Sequence, residues 1–294
     1  MALLIGDIGG SSSRWALLDG KATSPLPRTL PGFNPVMGDP LALQEALRGT
    51  VAVPDEGSLE VIAYGAGCGT KVRAERLRAA LAEVWPKARI EVESDLLGAA
   101  RGLYGHDDGL VLVLGTGMNV GHYDGEFLHA PMPSLGYILG DEGSGADIGK
   151  HLLRDALYGL VPGHLQTALF SKGMDLGAVL ESTYRMPGPQ RYVASFTAPL
   201  AEHVHDTYVH DLVVSRFFAL TRLLARFFSA RELQQVRASG SVAFGFRELL
   251  RDALAQRGMH LTAVERDPLQ GLMQYHAPNA TGQGNPRPPG FSGA

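Results

Sequence analysis

Cysteine is nearly absent from this 294-residue chain: Cys68 stands alone. A single thiol forms no internal disulfide and supplies no cluster of zinc or iron–sulfur ligands, so those scaffolds are excluded and a cytosolic setting is expected. Long apolar runs are missing too. No stretch approaches the ~18 uncharged apolar residues that a membrane-spanning helix needs. The opening residues, Met1-Ala2-Leu3-Leu4-Ile5-Gly6-Asp7, are apolar only briefly and meet an acid at once. They carry no basic stretch, which is not the pattern of a signal peptide. Basic runs are also lacking. With 26 Lys and Arg against 30 Asp and Glu the net charge is −4, so neither nucleic acid nor an anionic membrane is expected as a partner.

What is present is ample apolar material, 45% of the chain, over a length that points to two domains. An internal repeat supports that division. Leu3–Gly20 reads as apolar strand, Gly/Ser turn, second strand and a closing Asp19-Gly20; Gly109–Gly125 repeats the plan around Gly115-Thr116-Gly117-Met118-Asn119. Each copy is expected to be a β-hairpin, one per α/β domain. Between them Val61–Tyr64 reads as a strand, Val72–Val84 as a helix, Ile90–Val92 as a strand, and Ser94 or Asp95 caps a helix running toward Leu103. Further on, Gly145–Tyr158 is helical, Thr197–Ala230 is one long helix or two, Val236–Ala238 is a strand, and Phe244–Gln256 is helical. Alternating strands and helices imply an α/β fold with largely parallel sheets. The Gly/Pro-rich tail from Asn279 is expected to be disordered.

Five constellations carry chemistry. In Asp7-Ile8-Gly9-Gly10-Ser11-Ser12-Ser13, open backbone N–H groups and hydroxyls suit phosphate oxygens, and Asp7 at a strand end suits a hydrated Mg²⁺. An ordinary hairpin turn would look similar. Gly115-Thr116-Gly117 repeats the same physics, and a nucleotide needs its phosphates gripped from both sides. Asp95, at a strand-to-helix junction, is either a helix cap or a base that accepts a proton from a sugar hydroxyl attacking a γ-phosphate. Leu135–Gly145 sets Asp141 and Glu142 among glycines, an open acidic loop suited to a polyhydroxyl ligand. Ala238-Ser239-Gly240-Ser241 lets a planar ring lie against backbone, although glycine turns of this kind are frequent.

Taken in order, DIGGSSS, ESDLLGAARGL, LVLGTGMN, LGYILGDEGSGADIGK and ASGSVA resemble the bacterial N-acetylglucosamine kinases of the BadF/BadG ATPase-like family, within the sugar kinase, heat-shock-70 and actin superfamily. PLQGLMQYH (268–276) resembles the family's ending, so the likeness runs nearly the whole chain. It implies two ribonuclease-H-like domains around a cleft: residues 1–105, completed by a C-terminal helix, and 106–277, with 278–294 as a disordered tail. It also implies ATP with Mg²⁺ as cofactors and an amino sugar as partner; relatives often form homodimers, and the sequence does not give the oligomeric state. By the same resemblance Gly9, Gly10, Ser11 and Ser12 belong to the first phosphate loop, with Asp7 for the metal. Gly115, Thr116 and Gly117 belong to the second, Asp95 is the base, and Gly240 and Ser241 serve adenosine. Asp141, Gly136 and Asn34 serve the sugar together with Asp95. Two departures stand out: Arg14 where many relatives have Lys, and Ser134-Leu135 where some have Gly-Trp.

The implied activity is transfer of the ATP γ-phosphoryl group to the 6-hydroxyl of N-acetylglucosamine or a close analogue. An electron-transfer ATPase activator would need cysteines that the chain lacks. A non-catalytic sugar sensor would usually carry a helix-turn-helix arm, and the chain starts directly on its first strand. Among lesser candidates, Lys71 and Lys150 fail the G-x-x-x-x-G-K-[ST] phosphate-loop pattern. His203, His205, Asp206 and His210 are expected on one solvated helix rather than around a metal. Cys68 is expected to be a buried structural thiol.

Overall fold

The computed structural model describes residues 2–19, 22–26, 28–36, 38–51, 56–170 and 175–277. The tail expected to be disordered lies outside the described residues. Two compact units form: Met1–Asp108 with Tyr123–Leu128 and Asp267–Ala294, and Gly109–His122 with His129–Arg266. No helix among the described residues is long and apolar enough to cross a membrane.

The first unit opens with β1 (Ala2–Ile8), β2 (Ser12–Asp19), β3 (Ala22–Pro25) and β4 (Leu30–Pro31). There follow α1 (Leu41–Thr50), β5 (Leu59–Gly65), α2 (Lys71–Ala82), β6 (Arg89–Ser94) and α3 (Asp95–Tyr104). Its sheet runs β3-β2-β1-β5-β6, with β4 on β2. The hairpin pair β1/β2 is antiparallel, while β1/β5 and β5/β6 are parallel. Alternation along β1 decides what each face carries. Leu4 and Ile8 join one core with Trp15, Leu43, Leu77 and Trp85; Ile5 joins the other with Tyr64, Leu269 and Leu272. Asp7 has the parity of Ile5. It therefore lies on the α3 side of the sheet.

The second unit holds β7 (Gly109–Leu114), β8 (Met118–Tyr123) and β9 (Leu128–His129), then α4 (Gly136–Leu139) and α5 (Gly145–Leu157). Next come α6 (Gly163–Leu169), α7 (Leu176–Tyr184), α8 (Pro189–Ser195) and the long α9 (Thr207–Phe227). It ends with β10 (Val236–Ser239), α10 (Ser241–Gly245), α11 (Arg247–Ala255) and β11 (Leu261–Glu265). The sheet order is β11-β10-β7-β8-β9, with β10 parallel to both β7 and β11. Its core runs from Leu110, Leu112 and Leu114 to Phe217, Leu220 and Leu250. After β11 the chain returns to the first unit as α12 (Leu269–His276).

Two sequence expectations are corrected in detail, and the alternative left open for Thr197–Ala230 is resolved. Phe244–Gln256 is two helices, broken at Phe246, whose φ −116 and ψ 29 interrupt the helical run. The stretch from Thr197 divides into a 3-10 turn, Ala198–His203, and α9, which Asp206 caps by accepting from the Tyr208 N–H. The histidine group is therefore not on one helix: His203 ends the turn, His205 lies between the two, and His210 is on α9.

Candidate functional site

In the first unit three parallel strands finish level. Ile8 pairs with Gly65 and Gly65 with Ser94, so the chain leaves β1, β5 and β6 along one carboxyl edge. Ligands of open α/β sheets gather at such edges. The loop Gly9–Ser12 closes through the Gly9 N–H donating to the Ser12 carbonyl (2.9 Å), and Gly10 stands exposed. The Phe33 N–H donates to the Gly9 carbonyl (3.1 Å), which sets Asn34 beside that loop. Asn34 Oδ1 accepts the Val36 N–H at 2.9 Å in a local turn. Ser94 caps α3 by accepting the Leu97 N–H (3.2 Å), and Asp95 begins the helix with Oδ1 accepting the Leu96 N–H (2.9 Å). Of the two cap candidates, Ser94 is thus the cap and Asp95 the first residue of the helix.

Asp7 is the most perturbed carboxyl of this edge. Burial raises its pKa to about 7, the charges of Asp267 and Asp95 push the same way, and Arg14 opposes them. Arg14, paired with Asp7 across the hairpin, donates from Nη1 to Asp267 Oδ2 at 2.7 Å. Asp7 and Asp95 therefore sense each other electrostatically. Two carboxylates that repel in a half-buried setting fit a divalent cation, which would relieve the repulsion. Among the described residues no group of three or more acidic, histidine or cysteine side chains could hold a metal by itself. Cys68 is buried, and burial lifts its thiol pKa to about 12.

The second unit assembles its predicted residues around the β7–β8 turn. Gly115 donates to the Gly117 carbonyl (3.0 Å), and the first N–H groups of α5 are spent on this loop: Gly145 on the Gly115 carbonyl (2.8 Å), Ala146 on that of Thr116 (3.0 Å). Gly240 follows β10 at φ +112, with the Leu114 carbonyl oxygen 2.3 Å from where a Cβ would sit. Only glycine fits there. Gly240 and Ser241 thereby lie against the end of β7 and its loop.

Asp141 is the sole non-glycine residue with positive φ among those described (62°). Strained backbone of this kind persists where the surroundings over-determine it. Here the Ser144 N–H donates to its carbonyl (3.0 Å), Gln190 Nε2 donates to Oδ2 (3.1 Å), and the Met118 N–H donates to the carboxylate. Burial nevertheless raises the Asp141 pKa to about 6, the Met118 N–H opposing and the Glu142 and Asp147 charges assisting. Gly136, at φ +73, opens α4, and its carbonyl accepts the Gly140 N–H (2.8 Å).

Three residues that sequence reasoning missed hold this loop. Buried Asp147 accepts from the Gly143 N–H (3.0 Å) and from Arg216 Nε (2.7 Å), tying the glycine loop to α5 and α9. Gln190 supplies the contact to Asp141 from α8. An acid in the first turn of a helix signals Asp147. No local pattern signals Arg216 or Gln190, because tertiary packing alone brings them in. Of the lesser candidates, Lys150 reaches this loop, its Nζ donating to the Tyr137 carbonyl (3.3 Å) and lying 3.9 Å from Asp147 Oδ1, whereas Asp206 is paired with His164 Nε2 at 2.7 Å.

No family model matches the sequence, and no curated protein matches it. Solved structures do. A Porphyromonas gingivalis protein described as a "putative N-acetylglucosamine kinase" is 36% identical, with a TM-score of 0.81 over 93% of this chain and 98% of that one. A Chromobacterium violaceum protein described in the same words is 20% identical, TM-score 0.66, covering 93% and 98%. A Streptomyces griseus ROK family glucokinase, solved with glucose and AMPPNP, is 18% identical, TM-score 0.54, covering 94% and 98%. The last two likenesses speak for the fold alone.

Proposed function

We propose, for a chain that belongs to the N-acetylglucosamine kinase-like family and has the two-domain actin-like ATPase fold of sugar kinases, that it phosphorylates an amino sugar at its 6-hydroxyl with ATP. The observation that carries the reading is the carboxyl edge of the first unit, where Asp7 and Asp95 stand within electrostatic reach beside a Gly/Ser loop. In this reading Asp95 accepts the proton of the 6-hydroxyl as its oxygen bonds to the γ-phosphorus and the bond to ADP breaks. Gly10, Ser11, Ser12, Thr116 and Gly117 hold phosphate oxygens by backbone N–H and hydroxyl donors, while Gly9 and Gly115, whose N–H groups close their own turns, shape the two loops. Gly240 and Ser241 lie along the adenosine. Asp141, Gly136 and Asn34 orient the sugar hydroxyls, Asp141 being held by Gln190 and the Met118 N–H for that task. Bound Mg²⁺ would neutralise phosphate charge, with Asp7 ordering its waters. Positioning and electrostatics supply most of the rate in such transfers.

Coupled detection of ADP with Mg·ATP, across hexoses and N-acetylated amino sugars, tests the reading. Turnover on N-acetylglucosamine or a close analogue is expected, falling by a factor of about 100 to 10,000 in Asp95→Asn. ATP hydrolysis indifferent to sugar, or sugar binding without turnover, would overturn it.

A further inference from the structure

Gln190, Asp141 and Gly117 meet at one point of the second unit. Gln190 Nε2 donates to Asp141 Oδ2 at 3.1 Å. A Cβ placed on Gly117 would lie 3.0 Å from that same oxygen and 3.1 Å from that same nitrogen. The next residue of the turn, Met118, spends its N–H on the Asp141 carboxylate. The carboxylate assigned to the sugar therefore rests directly on the loop assigned to phosphate.

Rigid neighbours hold Gln190 in this place. It stands in the first turn of α8, where Pro189 fixes the first helical residue. Helix α8 crosses α5 at Gly149, against the Val193 carbonyl, an approach that only glycine permits. Just beyond α8, buried Thr197 donates from Oγ1 to the Gly145 carbonyl at 2.7 Å. The Gly145 and Ala146 N–H groups in turn hold the carbonyls of Gly115 and Thr116. So α8, the head of α5 and the β7–β8 turn brace one another, and Gln190 carries that bracing to Asp141.

Two ligands that share such a brace are coupled. A phosphate group held by the turn fixes Gly117, and Gly117 with Gln190 fixes Asp141. A sugar hydroxyl bonded to Asp141 fixes the same contact from the other side. Whichever ligand binds first meets the cost of ordering, so the second binds more tightly. Linkage makes the gain equal in both directions.

We infer that Gln190 is a positioning residue that couples the two ligands: it holds Asp141 on Gly117, so that nucleotide and sugar each tighten the other's binding. The inference rests on the amino-sugar kinase reading and deepens it.

The test titrates N-acetylglucosamine into the full chain by calorimetry, with and without Mg²⁺ and a non-hydrolysable ATP analogue. The wild-type Kd for the sugar is expected to fall about fivefold or more with the analogue present, as coupled sites do. Gln190→Met keeps the length of the side chain and removes the donor. The ratio of the two Kd values should then drop to about 1–2, whatever happens to each value alone. A general loosening of the fold would weaken both titrations and leave the ratio in place. Gly117→Ala drives a methyl against Asp141 Oδ2 and Gln190 Nε2 and should lower the same ratio, so it decides should Gln190→Met fold poorly. No tightening in the wild type, or an undiminished ratio in the variants, would overturn the coupling and leave the kinase standing. Neither binding nor turnover across a panel of amino sugars would overturn both.

Discussion

Asp7→Asn is expected to stabilise the first unit in alkaline solution while abolishing catalysis. Burial, with the Asp267 and Asp95 charges, raises the Asp7 pKa from 3.8 to about 7. A carboxyl raised on folding favours the native state fully below its unfolded pKa, and that benefit is lost as pH rises through the folded value. The whole shift, about three pKa units, corresponds to roughly 4 kcal/mol at ~1.36 kcal/mol per unit. Asp7 is only half-buried, so solvent screening reduces this to about 2 kcal/mol. Asparagine has no proton to lose. The variant's stability relative to wild type should therefore improve by about 1–2 kcal/mol between pH 5 and pH 8 and level off above. Both tryptophans, Trp15 and Trp85, lie in the first unit, so urea unfolding followed by their fluorescence reports that unit alone. The titration belongs in chelator without nucleotide. Adding Mg·ATP should then restore the wild type's stability at pH 8, and not the variant's, through binding to the native state. A stability difference that stays flat from pH 5 to pH 8 would refute the argument.

Three further outcomes follow from the same geometry. Asp267→Asn removes one charge that raises the Asp7 pKa, so the pH window above should move toward acid; the Arg14 pair it breaks, being partly exposed, costs only about 1 kcal/mol or less. Asp147→Ala leaves Arg216 and the Gly143 N–H without their buried acceptor and should destabilise the second unit by about 3 kcal/mol, with Asp147→Asn milder in thermal melts. Gly240→Ala forces a side chain into φ +112 and against the Leu114 carbonyl, so a loss of about 3 kcal/mol or more is expected, with protease susceptibility of β10 as a second readout.

How far the sequence alone reaches can be judged residue by residue. Glycine-rich turns between short apolar strands carry their own signal, so both hairpins were readable, and Ser94 was readable as the cap of α3 because capping is a local hydrogen bond. Residues 159–196 gave no comparable signal. Helices α6, α7 and α8 are seven to nine residues long, too short for the apolar period to repeat; α8 is placed by packing on α5, and α7 by packing on α8. Whether Thr197–Ala230 is one helix or two stayed open in the sequence, because only the Asp206 cap marks the break at residues 204–206. Asp141 shows the same limit within the site. Its residue type and glycine neighbours draw attention to it, yet its positive φ, its Gln190 partner 49 positions onward and its pKa near 6 belong to the folded state alone. A sequence announces which groups are chemically able to act; burial and distant partners decide how strongly each is charged and where it is held. That is why pH titration of Asp7, rather than substitution by itself, is the sharper probe of this site.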